Sequence, residues 1–206
     1  MSLHKPGKIV IISSPSGGGK TSISHLLLNM NTDNHWFFSI SYTTRAMRSG
    51  EKEGREYYFV DDDTFEHLVK RGAFAEDCRV HLYRYGTPRE PLERVLHEGG
   101  VMLLDIDVQG AAKIKAAYPE AVSIFILPPS VDVLRSRLTA RGTETEEQLK
   151  IRRDNATNEM GLWKGFDYVV VNDELEVAVN KVQSIITGHY CRTDVVSEEQ
   201  IKKIIG

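Results

Sequence analysis

The sequence predicts an α/β domain of three layers, a parallel core sheet with helices on both faces. Two observations carry this. Short apolar runs alternate with amphipathic stretches along the chain, as strand–helix–strand units require. The strongest runs, Ile9–Ser13, Val101–Ile106, Val122–Leu127 and Tyr168–Val171, are apolar nearly throughout, as strands covered on both faces are. Length agrees: 206 residues, 41% of them hydrophobic and 27% charged, suit one compact domain rather than two independent cores.

Taken in order, Ile9–Ser13 runs into Ser14-Pro15-Ser16-Gly17-Gly18-Gly19-Lys20-Thr21, and a helix is expected from near Lys20 through Ser22–Leu28. Strand, glycine-rich loop and helix make the Walker A arrangement, with Ser14 where glycine is usual. Glycines let successive backbone N–H groups turn inward around a phosphate, and the helix N-terminus favours the anion. Lys20 supplies a cation for the β- and γ-phosphates, and Thr21 a hydroxyl for Mg²⁺. A glycine-rich turn without a ligand is the plainer reading of such a loop. Gly19-Lys20-Thr21 between a strand and a helix favours a nucleoside triphosphate site, with Ser14 through Ser22 as its contacts.

Residues of about 42–95 are rich in charge, glycine and tyrosine and break the strand–helix rhythm. They read as an inserted subregion with short antiparallel strands around Tyr57–Val60. The run Val101-Met102-Leu103-Leu104 ends in Asp105, a Walker B pattern that places this carboxylate near the metal's water shell. Helices are expected from near Gln109 and Val131. Pro128-Pro129-Ser130 starts the second of these and Gly142 ends it. Thr145 with Gln148 caps a further helix, so that 131–160 forms an arginine-rich helical pair.

Composition excludes several functions. A net charge of -3 implies no general affinity for DNA, RNA or acidic membranes, so anion binding must come from local clusters. Cys78 and Cys191 are far apart, which disfavours a disulfide scaffold and suits a reducing compartment. The histidines show no metal-binding spacing. The sequon Asn155-Ala156-Thr157 is best read as chance. No stretch approaches the roughly 20 apolar residues of a membrane helix, and the expected location is the cytoplasm. The guanine-reading NKxD of GTPases is absent, and Asp107-Val108-Gln109-Gly110 is only a short match to their DxxG.

The segment Ser41-Tyr42-Thr43-Thr44-Arg45-Ala46-Met47-Arg48-Ser49-Gly50-Glu51 resembles the acceptor-site signature of guanylate kinases, S-x-T-T-R-x-x-R-x-G-E. Further matches follow in order: Gly54, Tyr57 to Val60, Glu76, Tyr85-Gly86-Thr87, Asp105 to Gly110, Ile126 to Ser130, and Val171-Asn172-Asp173. Together they span roughly residues 8–190. The resemblance implies a P-loop kinase fold in one domain. Its core would comprise about 1–41, 96–130 and 161–206, with a GMP-binding α/β region at about 42–95 and a helical lid at about 131–160. It also implies ATP-dependent, Mg²⁺-assisted phosphorylation of GMP to GDP.

Two guanidinium forks three residues apart match a dianionic phosphate. By resemblance Arg45 and Arg48, with Tyr57 and Tyr85, grip the phosphate of GMP. Glu76 accepts from the guanine N1–H and N2–H₂ donors, Asp107 supports it at N2, and Ser41 and Thr87 serve O6. Asp105 lies beside the acceptor. Arg137, Arg141 and Arg152 match lid arginines that swing onto the triphosphate, and Asn172 lines the adenine pocket. Lys20, Arg45 and the lid arginines are thus the expected catalytic set. Arg137 and Arg141 also share one helix face, where pairing with Glu144, Glu146 and Glu147 as a solvated stripe is the alternative. One departure stands out: Leu82-Tyr83-Arg84 replaces the family's frequent Gly-Asn-Tyr, and Arg84 is expected to add to the acceptor's positive potential. Two other functions are compatible with the pattern: a catalytically silent guanylate-kinase-like protein-binding module, and a kinase for another monophosphate. ATP and GMP are the expected partners, without nucleic acid or membrane, and a homo-oligomer is left open.

Overall fold

A computed structural model of the chain describes residues 7–31, 35–80, 82–139, 156–193, 195–196 and 201–202. In chain order they form β1 (Lys8–Ser13), α1 (Lys20–Met30), β2 (Trp36–Phe38), β3 (Tyr42–Thr43), β4 (Tyr58–Phe59), α2 (Asp62–Lys70), β5 (Phe74–Val80) and β6 (Tyr83–Pro88). Then come α3 (Arg89–His97), β7 (Val101–Asp105), α4 (Val108–Ala117), β8 (Val122–Leu127), α5 (Val131–Thr139), a 3₁₀ turn (Gly161–Gly165), β9 (Tyr168–Val171) and α6 (Leu175–His189).

The core sheet runs β2-β7-β1-β8-β9, and its pairings are parallel. Side chains alternate across it because successive Cβ atoms point to opposite faces. On one face Val10, Ile12, Leu103, Ile124 and Ile126 pack against Ile23 and Leu27 of α1 and Val179, Val182 and Ile186 of α6. On the other, Ile9, Ile11, Met102 and Leu104 meet Leu92 and Val95 of α3 and Ala111 and Ile114 of α4. These are the three layers the apolar runs predict. The expected strands are observed within a residue at each end; Val101–Ile106 stops at Asp105. The edge strand β2 has only three residues, too few to stand out as an apolar run. The strand order crosses from one side of β1 to the other between β7 and β8. Such a switch opens a crevice at the carboxyl ends of the strands, where sheets of this kind take ligands.

A second sheet, ordered β4-β3-β6-β5, is built within residues 42–88. β5 and β6 form an antiparallel hairpin with Glu76 opposite Thr87 and Cys78 opposite Tyr85. The expectation of antiparallel strands around Tyr57–Val60 is corrected here: β4 pairs with β3 in parallel. The chain between them is long enough for the crossover that a parallel pair needs, about a dozen residues or more. α2 is capped by Asp61, whose carboxylate accepts from the Thr64 N–H at 2.8 Å. Its buried Phe65 stacks on Phe74 at 4.8 Å between centroids. Phe74 lies so close under β6 that a Cβ at Gly86 would come within 2.9 Å of its ring, so only glycine fits there. α3 begins within 42–95 yet packs on the core sheet through Leu92 and Val95.

α5 begins as the sequence suggests, with Ser130 Oγ accepting from the Val133 N–H at 3.2 Å. Gly142, Thr145, Gln148 and the acidic residues 144, 146 and 147 lie outside the described residues; residues 156–160 are helical.

Candidate functional site

The loop between β1 and α1 wraps tightly. Gly17 (φ 88°) and Gly19 (φ 96°) adopt left-handed backbone, which an L side chain rarely tolerates. Close packing fixes the loop further. A Cβ at Gly18 would stand 2.7 Å from that of Ser14, and one at Gly19 would stand 2.3 Å from Asn172 Nδ2. Ser14 is therefore accommodated at the usual glycine position by lying against Gly18, and its hydroxyl donates to the Pro15 carbonyl at 2.9 Å. Asn172, at the end of β9, donates from Nδ2 to the Gly18 carbonyl at 3.0 Å. The Ser16 N–H donates to an anionic group, a carboxylate oxygen of Glu159, at 3.2 Å, while the Gly18 N–H closes the loop on the Pro15 carbonyl at 2.9 Å.

At the start of α1, Thr21 Oγ1 donates to Asp105 Oδ2 at 2.6 Å, and Lys20 Nζ stands 3.5 Å from Asp105 Oδ1. β7 pairs directly with β1 and brings Asp105 opposite Ile12, so the Walker B carboxylate and the Walker A helix meet across the crevice. A hydroxyl carries one proton and two lone pairs. With its proton on Asp105, Thr21 presents lone pairs outward. A hydroxyl and a carboxylate, with few protein ligands, suit Mg²⁺, which keeps water and takes phosphate oxygens.

Arg137 approaches the same loop from α5. Its Nη2 donates to the Asn172 carbonyl at 3.1 Å, while Nη1 is buried with no partner among the described residues. Leu134 and Leu138 of this helix stand 3.2 Å from where a Cβ on Gly17 would be. Arg141 and Arg152 lie outside the described residues.

The second sheet carries the acceptor-side residues. Arg45 is buried, 7% exposed. Its guanidinium grips Glu51 through both forks, Nη2 to Oε1 at 2.7 Å and Nη1 to Oε2 at 3.0 Å, and Nη1 also donates to the Ala46 carbonyl at 2.7 Å. Burial opposes the Arg45 charge, and the Glu51 hydrogen bonds overcome it. Burial likewise opposes ionisation of Glu51, yet Arg45 and the Arg48 N–H hold it below the usual carboxylate range. The Arg45 guanidinium also lies 5.5 Å from the Tyr57 ring centroid, and Tyr57 meets Tyr85 edge-on at 5.7 Å. Burial, then the charge of Asp105, pushes the Tyr57 hydroxyl well above its ordinary range. Asp105 is thus the meeting point: it touches Lys20 and Thr21 on one side and acts on Tyr57 on the other. Arg48 is exposed, and its charge also favours the ionised form of Glu51.

Deeper in the second sheet, Glu76 is 6% exposed. Thr87 Oγ1 donates to its Oε1 at 2.6 Å, and Oε2 is buried without a partner among the described residues. Burial raises its pKa; the Thr87 hydrogen bond opposes this and the Asp107 charge adds to it. Asp107 caps α4 by accepting from the Gly110 N–H at Oδ1, 2.8 Å. A Cβ at Gly110 would stand 3.1 Å from Glu76 Oε2 and 3.2 Å from Asp107 Oδ1, so the two carboxylates converge on this glycine. Ser41 is buried immediately before β3.

The expectation for Arg84 is corrected. Its guanidinium pairs with Glu66 of α2 at 2.9 Å and covers the Phe65 ring at 4.5 Å, so its charge is held on α2. Its backbone carbonyl accepts from Thr43 Oγ1 and the Thr44 N–H, which ties β6 to the segment leading into Arg45. Leu82, 80% exposed, sits at the hairpin tip beyond the Val80–Tyr83 pair. The departure from Gly-Asn-Tyr is therefore confined to the tip and the start of β6, and the Glu76–Thr87 register survives. Sequence reasoning gave no role to Glu51, Cys78 or Glu159. Glu51 closes the quoted signature, and its acidic charge six residues from a buried arginine was the available signal.

A guanylate kinase family model matches residues 6–189. A guanylate kinase of Caldanaerobacter subterraneus is 42% identical over 194 residues, covering 94% of this chain and 93% of that protein. One of Rickettsia felis is 45% identical over 188 residues, covering 91% and 97%. The crystal structure of guanylate kinase from Anaplasma phagocytophilum superposes with a TM-score of 0.80 at 34% identity, covering 96% of this chain and 94% of that one. With the match running from the strand before the phosphate loop to the last long helix, the chain belongs to the guanylate kinase family.

Proposed function

We infer that the protein transfers the terminal phosphoryl group of ATP to GMP, yielding ADP and GDP. One observation carries the choice of acceptor: a carboxylate, Glu76, is buried with one oxygen held by Thr87 and the other unpartnered among the described residues. Such a group is costly unless a ligand satisfies it. Guanine presents N1–H and N2–H₂ side by side, and the free oxygen of Glu76 accepts there with Asp107 at N2. Adenine would set its N1 lone pair against the same charge, and polar sites of this kind discriminate by about 10⁴–10⁵. The Thr87 hydroxyl has one proton and gives it to Glu76, so Ser41 is the better donor to O6.

Arg45 retains N–H donors beyond those bound to Glu51 and Ala46, and with Arg48, Tyr57 and Tyr85 it takes the phosphate of GMP. The loop from Ser14 to Ser22 holds the triphosphate, Lys20 neutralises its β- and γ-oxygens, and Asn172 lines the adenine side. Thr21 and Asp105, which meet at 2.6 Å, would hold Mg²⁺, and the ion would supply charge neutralisation at the phosphate oxygens. Arg137, Arg141 and Arg152 add charge from the lid. The transfer needs alignment and charge neutralisation more than covalent help. The acceptor phosphate is already anionic, so no general base is required. Core, acceptor region and lid act as parts of one domain in the cytoplasm, and closure over both nucleotides excludes water.

A coupled ADP-release assay comparing GMP, AMP, CMP, UMP and dTMP tests this. Turnover with GMP far above the others is expected. Turnover with a different monophosphate refutes the base reading, and none above the ATP-only background points to a protein-binding module.

A further inference from the structure

We infer that Cys78 is a positioning residue for the acceptor's base, acting through Asp107. This rests on the reading that Glu76 and Asp107 face guanine. Cys78 lies on β5, 8% exposed, two residues from Glu76 on the same strand face. Its Sγ donates to Asp107 Oδ1 at 3.5 Å, within reach for a sulfur donor. That oxygen also accepts from the Gly110 N–H at 2.8 Å. Two donors from different elements, one on β5 and one on α4, thus converge on Oδ1. Among the described residues no donor reaches Oδ2.

The consequence is rotational. A carboxylate held by a helix cap alone can still swing about its last bond. A second donor from the opposite wall fixes the plane and leaves Oδ2 as the acceptor for an exocyclic amine. The unpartnered Oε2 of Glu76, beside the same glycine, shows that this wall of the pocket awaits donors. Burial, then the charges of Asp107 and Glu76, pushes the Cys78 thiol far above its ordinary range. It therefore stays protonated as a neutral donor and is a poor nucleophile. A hydrogen-bond donor that stays neutral can serve Asp107 without adding a negative charge beside Glu76 and Asp107.

The test uses GMP and IMP, which differ only in the 2-amino group that Oδ2 would meet. Dissociation constants are measured by calorimetry for the full chain, for Cys78→Ala, which lacks the donor, and for Cys78→Ser, which keeps one. Cys78→Ala is expected to weaken GMP about three- to tenfold, the range of one modest hydrogen bond, and to leave IMP and ATP unchanged. Cys78→Ser is expected to recover most of the loss, and kcat at saturating GMP to stay near that of the unaltered protein. Equal weakening of GMP and IMP, or no weakening of either, overturns the role of Cys78 while leaving the base reading intact. Unaltered protein that binds GMP and IMP equally overturns the base reading and this inference with it.

Discussion

Replacing Glu76 by glutamine separates the two nucleotides most sharply. The substitution keeps shape and removes the charge. With the amide oxygen toward Thr87, as Oε1 lies now at 2.6 Å, the new NH₂ occupies the unpartnered Oε2 position and meets the guanine N1–H and N2–H₂ donor to donor. Hydrogen bonds to a charged group contribute about 1.5–3 kcal/mol each, so losing two removes roughly 3–6 kcal/mol, or about 10²–10⁴ in GMP affinity. If the amide flips, Thr87 can accept from it and the oxygen faces the base; the loss then falls to the lower end. ATP affinity is expected to stay within about twofold, since Glu76 makes no contact with the phosphate loop. Stability moves the other way. Burial raises the Glu76 pKa above its unfolded value, so the folded state binds the proton more tightly and stability falls as pH rises through that window. Glutamine has no such penalty. The nucleotide-free variant should melt higher than the unaltered protein at about pH 8, and the gap should close as pH falls toward the unfolded value of about 4.3. Calorimetry with each nucleotide and melting curves across pH read both effects. Equal losses for ATP and GMP refute the base-reading role, and a variant less stable at alkaline pH refutes the account of the buried charge.

Three further substitutions test other parts of the site. Lys20→Ala should abolish phosphoryl transfer while calorimetry still detects GMP binding; loss of both means that the two pockets are not separable. Glu51→Ala removes the partner of a guanidinium whose side chain is 8% exposed. Breaking a buried pair costs about 3–5 kcal/mol, so the melting temperature should drop by several degrees and the KM for GMP rise at least tenfold, with the KM for ATP little changed; an unchanged KM for GMP disproves that Glu51 sets the Arg45 geometry. Gly19→Ala puts a Cβ 2.3 Å from Asn172 Nδ2 at a φ of 96°, so ATP binding should fall more than tenfold while the core stays folded, and unaltered ATP affinity would show that the loop relaxes freely.

The core was legible because its signals are local. β1 and β8 lie buried almost end to end, so their residues are apolar without alternation and can be found by inspection. The phosphate loop was legible for a related reason: left-handed backbone at Gly17 and Gly19 restricts the residue type at fixed spacing. The parallel pairing of β3 with β4 was not legible. Each is two residues long, and direction is set by the path of the connection between them rather than by their own side chains. The fate of Arg84 was hidden for a similar reason. Its neighbours in sequence suggest the acceptor site, but its side chain meets Glu66 and Phe65 on α2, and nothing in a linear pattern records that approach.

What the sequence could least reveal is how the charges are kept until nucleotides arrive. A site for two polyanions must hold cations in place, and a site for guanine must hold a buried anion; each is unfavourable alone. In the folded chain nearly every one has a protein partner: Lys20 with Asp105, Arg45 with Glu51, Glu76 Oε1 with Thr87, Asp107 with Gly110 and Cys78. These partners come from segments far apart in sequence or from residues whose own chemistry is unremarked. Among the described residues the buried atoms of charged side chains left without a partner are Glu76 Oε2 and Arg137 Nη1, one beside the acceptor wall and one beside the phosphate loop. A pattern search finds the groups that meet the ligands. The fold shows how those groups are held ready, and these two unsatisfied charged groups lie where the acceptor base and the triphosphate are expected.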